Sequence, residues 1–300
     1  KEADYWSMRE KERAYLSALD ILCTKVQVTH VKLDVLRVRL KQAEQEKDKV
    51  SELYRLGEVS FADYQVITRR VSDLLREVQE MESEHLGLHL ELVKQMGLHP
   101  SVRELEVTEY LARGVPAMVA APTAEQLLES PALKAQLASY GAGEEELRRE
   151  IRKQYPQLEL GITYAHDDGN DKVAPGISFN LPLWNRNREA IARATGDRSL
   201  KKQETLTVWR DLLTQTVSLK DRGELAERHC REELNRTRLL AEAVEHQQKL
   251  YDMGEIQLPE LADARQEHFT RRMSYLDCLS ELLEIRTQLQ YLNPQFTEKQ

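Results

Sequence analysis

Hydrophobic positions recur at spacings of three and four over most of the chain, the pattern of amphipathic helices. Leu16, Leu19, Cys23, Val26, His30, Leu33 and Leu40 mark one face of a run from residue 3 to 55. Val71, Leu74, Leu75, Val78, Met81, His85, Leu88 and Leu92 mark one face of a second run from 61 to 96. LYRLGEVSFADY breaks the period between them at Gly57, and MGLHP stops the second run with Gly97 and Pro100. The pair predicts a long antiparallel helical hairpin over 1–98, closed by a very short turn. Residues 99–124 read as a connector, with GVPAMVAAP extended. Helix is predicted again over 125–155, with Pro131 in a first turn and a local break at Gly141 and Gly143. A second long helical hairpin is predicted over 188–292.

Between these helices the period changes to two. In QLELGITYA the positions Leu158, Leu160, Ile162 and Tyr164 are large and apolar, whereas Glu159, Gly161, Thr163 and Ala165 are small or polar. In VAPGISFNLPLW the apolar positions are Val173, Pro175, Ile177, Phe179, Leu181 and Leu183, alternating with Ala174, Gly176, Ser178, Asn180 and Pro182. Two consecutive alternating runs joined by the turn-rich HDDGNDK predict one β-hairpin over 157–184. Each strand is near the length that crosses a bilayer in a tilted barrel. Large residues on one face and small ones on the other suit lipid outside and water inside, with Trp184 at a strand end where an interfacial aromatic belongs. A soluble hairpin packed on helices predicts the same alternation, so both environments stay open at this point. The Gly and Ser of the polar face favour the channel wall, because a solvated outer face carries Lys and Glu.

The two helical hairpins carry related turns. LYRLGEVS, Leu53–Ser60, recurs as LYDMGEIQ, Leu250–Gln257, with Leu, Tyr, Gly and Glu in the same order and spacing. Each Gly supplies the left-handed residue that a tight helix reversal needs. The fold class is therefore mainly α: long, coiled-coil-like antiparallel hairpins in a duplicated repeat, the second repeat over 125–300, with one β-hairpin.

Composition agrees. The 300 residues are 31% charged and only 6% aromatic, which favours long thin helices over a thick core. The net charge of −8 argues against a general nucleic-acid surface. No apolar run is long enough for a membrane-spanning helix. Lys1 begins in mid-helix character without an initiator Met, so the start of the precursor is expected to be missing. Cys23, Cys230 and Cys278 lie far apart in helical stretches and read as packing residues, with no disulfide framework and no metal knuckle. His85 and His89 have a spacing that could share a metal, but structural neighbours Leu86 and Leu88 favour packing, and no metal is expected. Asp167, Asp168, Asn170 and Asp171 do not complete a calcium loop and read as a solvated turn. No nucleophile, base and acid grouping and no phosphate-binding loop is present, so neither an enzyme nor a cofactor is expected.

The duplicated hairpins, the Leu-Tyr-x-x-Gly-Glu turns, the segment ESPALKAQLASYGAGEEELRREIRKQYPQLELG and the corner LPLWNRNREAIARA together resemble the TolC family of outer-membrane efflux channels. LPLWNRNREAIARA is also similar to the family's heavy-metal efflux subgroup. The resemblance implies a homotrimer with a shared barrel in outer-membrane lipid, helices that form a tunnel across the periplasm, and tips that meet a periplasmic adaptor protein and an inner-membrane pump. On that basis Leu158, Leu160, Ile162, Tyr164, Ile177, Phe179, Leu181, Leu183 and Trp184 face the membrane. Leu53, Tyr54, Gly57, Glu58, Leu250, Tyr251, Gly254 and Glu255 form the docking turns. Tyr251, Glu260 and Asp263 correspond to gate positions, although Ile256 stands where the family has an aperture arginine. The family has two β-hairpins per protomer and this sequence has one. The alternative is a soluble helical interaction or scaffold protein of the same architecture without a pore.

Overall fold

The computed structural model describes residues 1–99, 114–155, 157–167, 170–180 and 186–296. The described elements are α1 (Glu2–Leu56), α2 (Phe61–Gln95), α3 (Ala124–Leu127), α4 (Pro131–Arg152), β1 (Gln157–Asp167), β2 (Asn170–Asn180), α5 (Arg188–Asp252), α6 (Leu258–Leu292) and a 3-10 turn at Pro294–Phe296. Two compact units result, each discontinuous in sequence. The first is Lys1–Lys11 with Thr123–Gln215, and the second is Glu12–Pro122 with Thr216–Gln300.

The second unit holds most of the two helical hairpins. Along α1, Leu22, Thr29, Leu36, Ala43 and Val50 are buried at intervals of seven, with Val26 and Leu33 beside them. Val28, Val35, Arg39 and Glu46 form a second buried stripe. The sequence pattern marks a single face, but α1 is covered on two. Its neighbours include Leu74 and Val78 of α2 and Phe269 and Leu276 of α6. Leu16 and His30, expected on the buried face, are exposed, and so is Leu75 of α2. Cys23 packs with Leu19 and Leu88 against Leu22, Val26 and Leu92, as a small apolar residue would.

Both turns close identically. Gly57 (φ 78°) donates its N–H to the Tyr54 carbonyl at 3.1 Å and Glu58 to the Leu53 carbonyl at 3.0 Å. Gly254 (φ 77°) donates to Tyr251 at 3.0 Å and Glu255 to Leu250 at 2.9 Å. These are the paired bonds of a Schellman end, which satisfies the last carbonyls of the helix. Open space surrounds both glycines, so the left-handed backbone alone selects the residue. Gly254→Ala is expected to cost about 1–2 kcal/mol, read as a lower urea midpoint at unchanged m-value.

In the first unit, α4 runs unbroken through Gly141 and Gly143, contrary to the expected break. Gly143 is buried, and a side chain there would meet Lys201 Cδ at 3.1 Å and the Arg198 backbone at 3.7 Å. The glycine serves close approach of α4 to α5. Arg198 Nε and Nη2 donate to Glu144 Oε1 at 2.9 and 2.7 Å, tying the same crossing. At the start of α5, Arg186 (φ 38°) and Asn187 (φ 56°) take left-handed backbone, which Asn tolerates better than most residues. Asn187 Nδ2 donates to the Glu150 carbonyl at 2.9 Å and to its carboxylate at 2.7 Å. The corner therefore anchors the start of α5 to the end of α4.

Candidate functional sites: an apolar strand face and paired helical tips

β1 and β2 pair antiparallel over eleven residues each, from Gln157↔Asn180 to Asp167↔Asn170. The link is tighter than HDDGNDK suggests. His166, Asp167, Asn170 and Asp171 are already in register, and Asp168 lies outside the described residues. Direct partners in an antiparallel pair share a face. Leu160↔Ile177, Ile162↔Pro175 and Tyr164↔Val173 thus form one apolar face, with Leu158↔Phe179 at the next register position. Gly161↔Gly176 and Thr163↔Ala174 hold the alternate positions. Leu160, Ile162, Tyr164, Val173 and Ile177 are 63–79% exposed, so no described helix covers this face. The sheet has two strands, and each has one edge without a strand partner among the described residues. Leu181, Leu183 and Trp184 lie outside the described residues.

The second unit brings the two repeated turns together. Val50, Ile67, Leu258, Leu261 and Ala262 form a buried cluster with Val59, Tyr64, Tyr251 and Ile256 packed on it. Val59 and Ile256, equivalent in the repeat, thus meet in one core. Leu53 and Leu250 are half-buried, whereas Glu58 and Glu255 are exposed. Tyr54 stacks on Tyr64 with ring centroids at 5.2 Å and lies 5.8 Å from Phe61. Leu56, Phe61 and Met253 remain 55–67% exposed, leaving apolar surface around both turns.

Of the positions expected at a gate, Tyr251 is half-buried beneath Lys49, whose Nζ lies 5.7 Å from the ring centroid. Glu260 is exposed. Asp263 accepts from Arg70 Nη2 at 2.7 Å, joining α6 to α2. Ile256 is part of the tip core, which explains an apolar residue there.

Sequence reading misses a buried ionic cluster on the same unit. Arg39 and Glu46, 3% and 2% exposed, pair at 3.1 Å, and Arg265 Nη1 donates to the same Glu46 oxygen at 2.8 Å. Arg265 also donates to Gln248 of α5, and Arg39 Nη2 reaches the Ala262 carbonyl at 3.5 Å. Their spacing of seven on the stripe of Val28 and Val35 is the signal that could have found them.

A second correction concerns the cysteines. Cys230 and Cys278 form a disulfide, with Cα atoms 5.6 Å apart. An antiparallel hairpin sets residues equidistant from its turn opposite each other, and Gly254 lies midway between this pair. Spacing along the chain hides that relation; spacing from the turn reveals it.

His85 and His89 have ring centroids 6.5 Å apart, with His30 5.6 Å from His85. His85 Nδ1 lies 3.1 Å from Thr29 Oγ1. Burial, then His30 and His89, hold the His85 pKa below its usual value. Among the described residues no group of three or more His, Cys, Asp or Glu is gathered as a metal site. No described helix is long and apolar enough to cross a membrane.

No protein-family model and no curated protein matches the sequence. Solved structures do match its fold. A membrane protein from Pseudomonas aeruginosa aligns with a TM-score of 0.86 at 14% identity, over 97% of this chain and 70% of that one. CusC, described with transmembrane channel formation, aligns at 0.83 and 13% identity, over 97% and 71%. The open-state MtrE outer membrane channel of Neisseria gonorrhoeae aligns at 0.82 and 13% identity, over 97% and 68%.

Proposed function

We propose that this chain, which has the fold of the TolC-type outer-membrane efflux channels, is a passive duct of the outer membrane that extends into the periplasm. The observation that carries the reading is the uncovered apolar face of the β-hairpin, from Leu160 to Tyr164 and from Val173 to Ile177. Such a face needs lipid, and lipid admits a sheet only when every edge is paired. A two-stranded sheet meets that condition only when strands from further hairpins close a barrel, and the resemblance to the family implies that the copies form a homotrimer. The small residues of the alternate positions then line water.

The paired turns are the periplasmic tip. Leu53, Tyr54, Gly57 and Glu58 with Leu250, Tyr251, Gly254 and Glu255 dock a periplasmic adaptor, which links the duct to an inner-membrane pump that supplies the energy. The exposed Leu56, Phe61 and Met253 support contact with a partner there. Tyr251, Glu260 and Asp263 form the aperture. With Ile256 in the core, the Arg70–Asp263 pair holds α6 against α2 within one copy.

The test is the mass and conductance of the purified chain in detergent and in planar bilayers. A trimer that needs detergent and gives discrete ion-conducting steps is expected. A monodisperse monomer in plain buffer, silent in bilayers, would instead establish the pore-free scaffold.

A further inference from the structure

The covalent link between α5 and α6 is enclosed in the core of the second unit. Cys230 is 0% exposed and Cys278 5%. Leu219, Ala226, Leu282, Ile285 and Leu289 surround them, and Val115, Met118 and Ala121 of the extended segment pack on the same cluster. Met118 lies over Gly223, two turns before Cys230 on one face of α5. A Cβ on Gly223 would fall 2.3 Å from the Met118 methyl and 3.3 Å from Ile285, so the glycine makes room for this side chain. The Met118 N–H also points to Glu227 Oε2 at 3.4 Å. The segment is thus keyed into α5 one to two turns from the disulfide.

We propose that Cys230 and Cys278 are a folding-coupled oxidation site, oxidised while the α5–α6 hairpin is still open and then sealed by the docking of residues 115–121. Exchange requires a thiolate to attack a disulfide sulfur directly. One cysteine thiolate attacks the disulfide of the oxidant, forming a mixed disulfide and releasing one oxidant thiol. The second cysteine thiolate attacks that mixed disulfide, closing Cys230–Cys278 and releasing the other oxidant thiol. Two protons leave the cysteines, and two electrons pass to the oxidant. An oxidant too large to enter the core meets these sulfurs only before packing. Cys23 is spared because no other described cysteine adjoins it, and it stays a thiol among Leu19, Leu22 and Leu88. The proposal needs a source of disulfide oxidant and does not depend on duct activity.

The experiment refolds the urea-unfolded, reduced chain in detergent with glutathione and glutathione disulfide. The product is expected to be about 2 Da lighter than the reduced chain, with one alkylatable thiol, at Cys23, after denaturation. Recovery of three thiols would overturn the site. In a second arm, oxidant is added only after the reduced chain has folded. Oxidation is expected to be slower by at least ~100-fold, as local opening then limits access. A reduced chain that reaches the native near-UV spectrum only once oxidant is present also supports the order. Equal rates on folded and unfolded chains would overturn it. Reduction of the native bond is expected to be several-fold faster in Met118→Ala than in the parent, and an unchanged rate would refute the seal. Cys230→Ser with Cys278→Ser is expected to lower Tm by on the order of 5–10 °C. An unchanged Tm would refute the bond as a clamp.

Discussion

Replacing Glu46 by Ala is expected to cost about 3–5 kcal/mol of stability, because the change leaves buried Arg39 without its carboxylate. Glu46 is the only carboxylate among the described partners of Arg39, and it is shared with Arg265 of α6. Arg39 is only 3% exposed, at the floor of a groove shared with Gln248 and Arg265. Its remaining contacts are the Gln266 amide oxygen at 3.4 Å and the Ala262 carbonyl at 3.5 Å, both long and neutral. Arg265 is better placed, since its side chain is 23% exposed and can turn outward. The measurement is urea unfolding of the detergent-solubilised chain. Arg39→Met with Glu46→Leu is the informative partner. It removes both buried charges and keeps volume, so its loss is expected to be smaller than that of Glu46→Ala alone. If Glu46→Ala costs under about 1 kcal/mol, water reaches Arg39 and the cluster is not the closed network described.

The location of this network shows what the sequence could carry. Helix extents, the hairpin turns and the strand pair follow from local rules, because each depends on residues near one another in the chain. The two Leu-Tyr-x-x-Gly-Glu turns are legible since a tight reversal selects Gly at φ near 77° whatever surrounds it. The alternation of Leu160, Ile162 and Tyr164 is legible for the same reason. Arg39 and Glu46 are not. They look like solvent-facing charges until α6 supplies Arg265 and the Ala262 carbonyl. Gly143 looks like a break until Lys201 of α5 crosses it. Cys230 and Cys278 look unrelated until the hairpin folds at Gly254. Each miss is a tertiary contact that overrides local propensity. The tip core is intermediate. The repeat aligns Val59 with Ile256, and only the fold makes them neighbours.

The strand face gives the second large effect. Leu160→Arg combined with Ile177→Arg is expected to abolish membrane insertion of the chain. The two positions are direct register partners, 74% and 67% exposed, on the apolar face. An arginine on the lipid face of a barrel costs about 2–4 kcal/mol near the midplane, so the pair approaches about 4–8 kcal/mol if the two costs add. Like charges directly opposite each other on paired strands add repulsion. That sum is comparable to the whole stability of a domain, and a barrel built from several copies would carry it once per copy. The readout is the partition of the chain between the detergent-extracted membrane fraction and the soluble fraction, with oligomeric mass measured alongside. The control is Gly161→Ser on the alternate face. A Cβ at Gly161 meets nothing within 4 Å, so a small hydroxyl there is expected to change stability by less than about 0.5 kcal/mol and leave insertion intact. The contrast isolates the face, because Leu160 and Gly161 are neighbours on β1 at alternating positions and both changes add polarity to the hairpin. Parental membrane recovery of the double arginine variant would mean that this face meets water, and the hairpin would then be a scaffold element without a barrel.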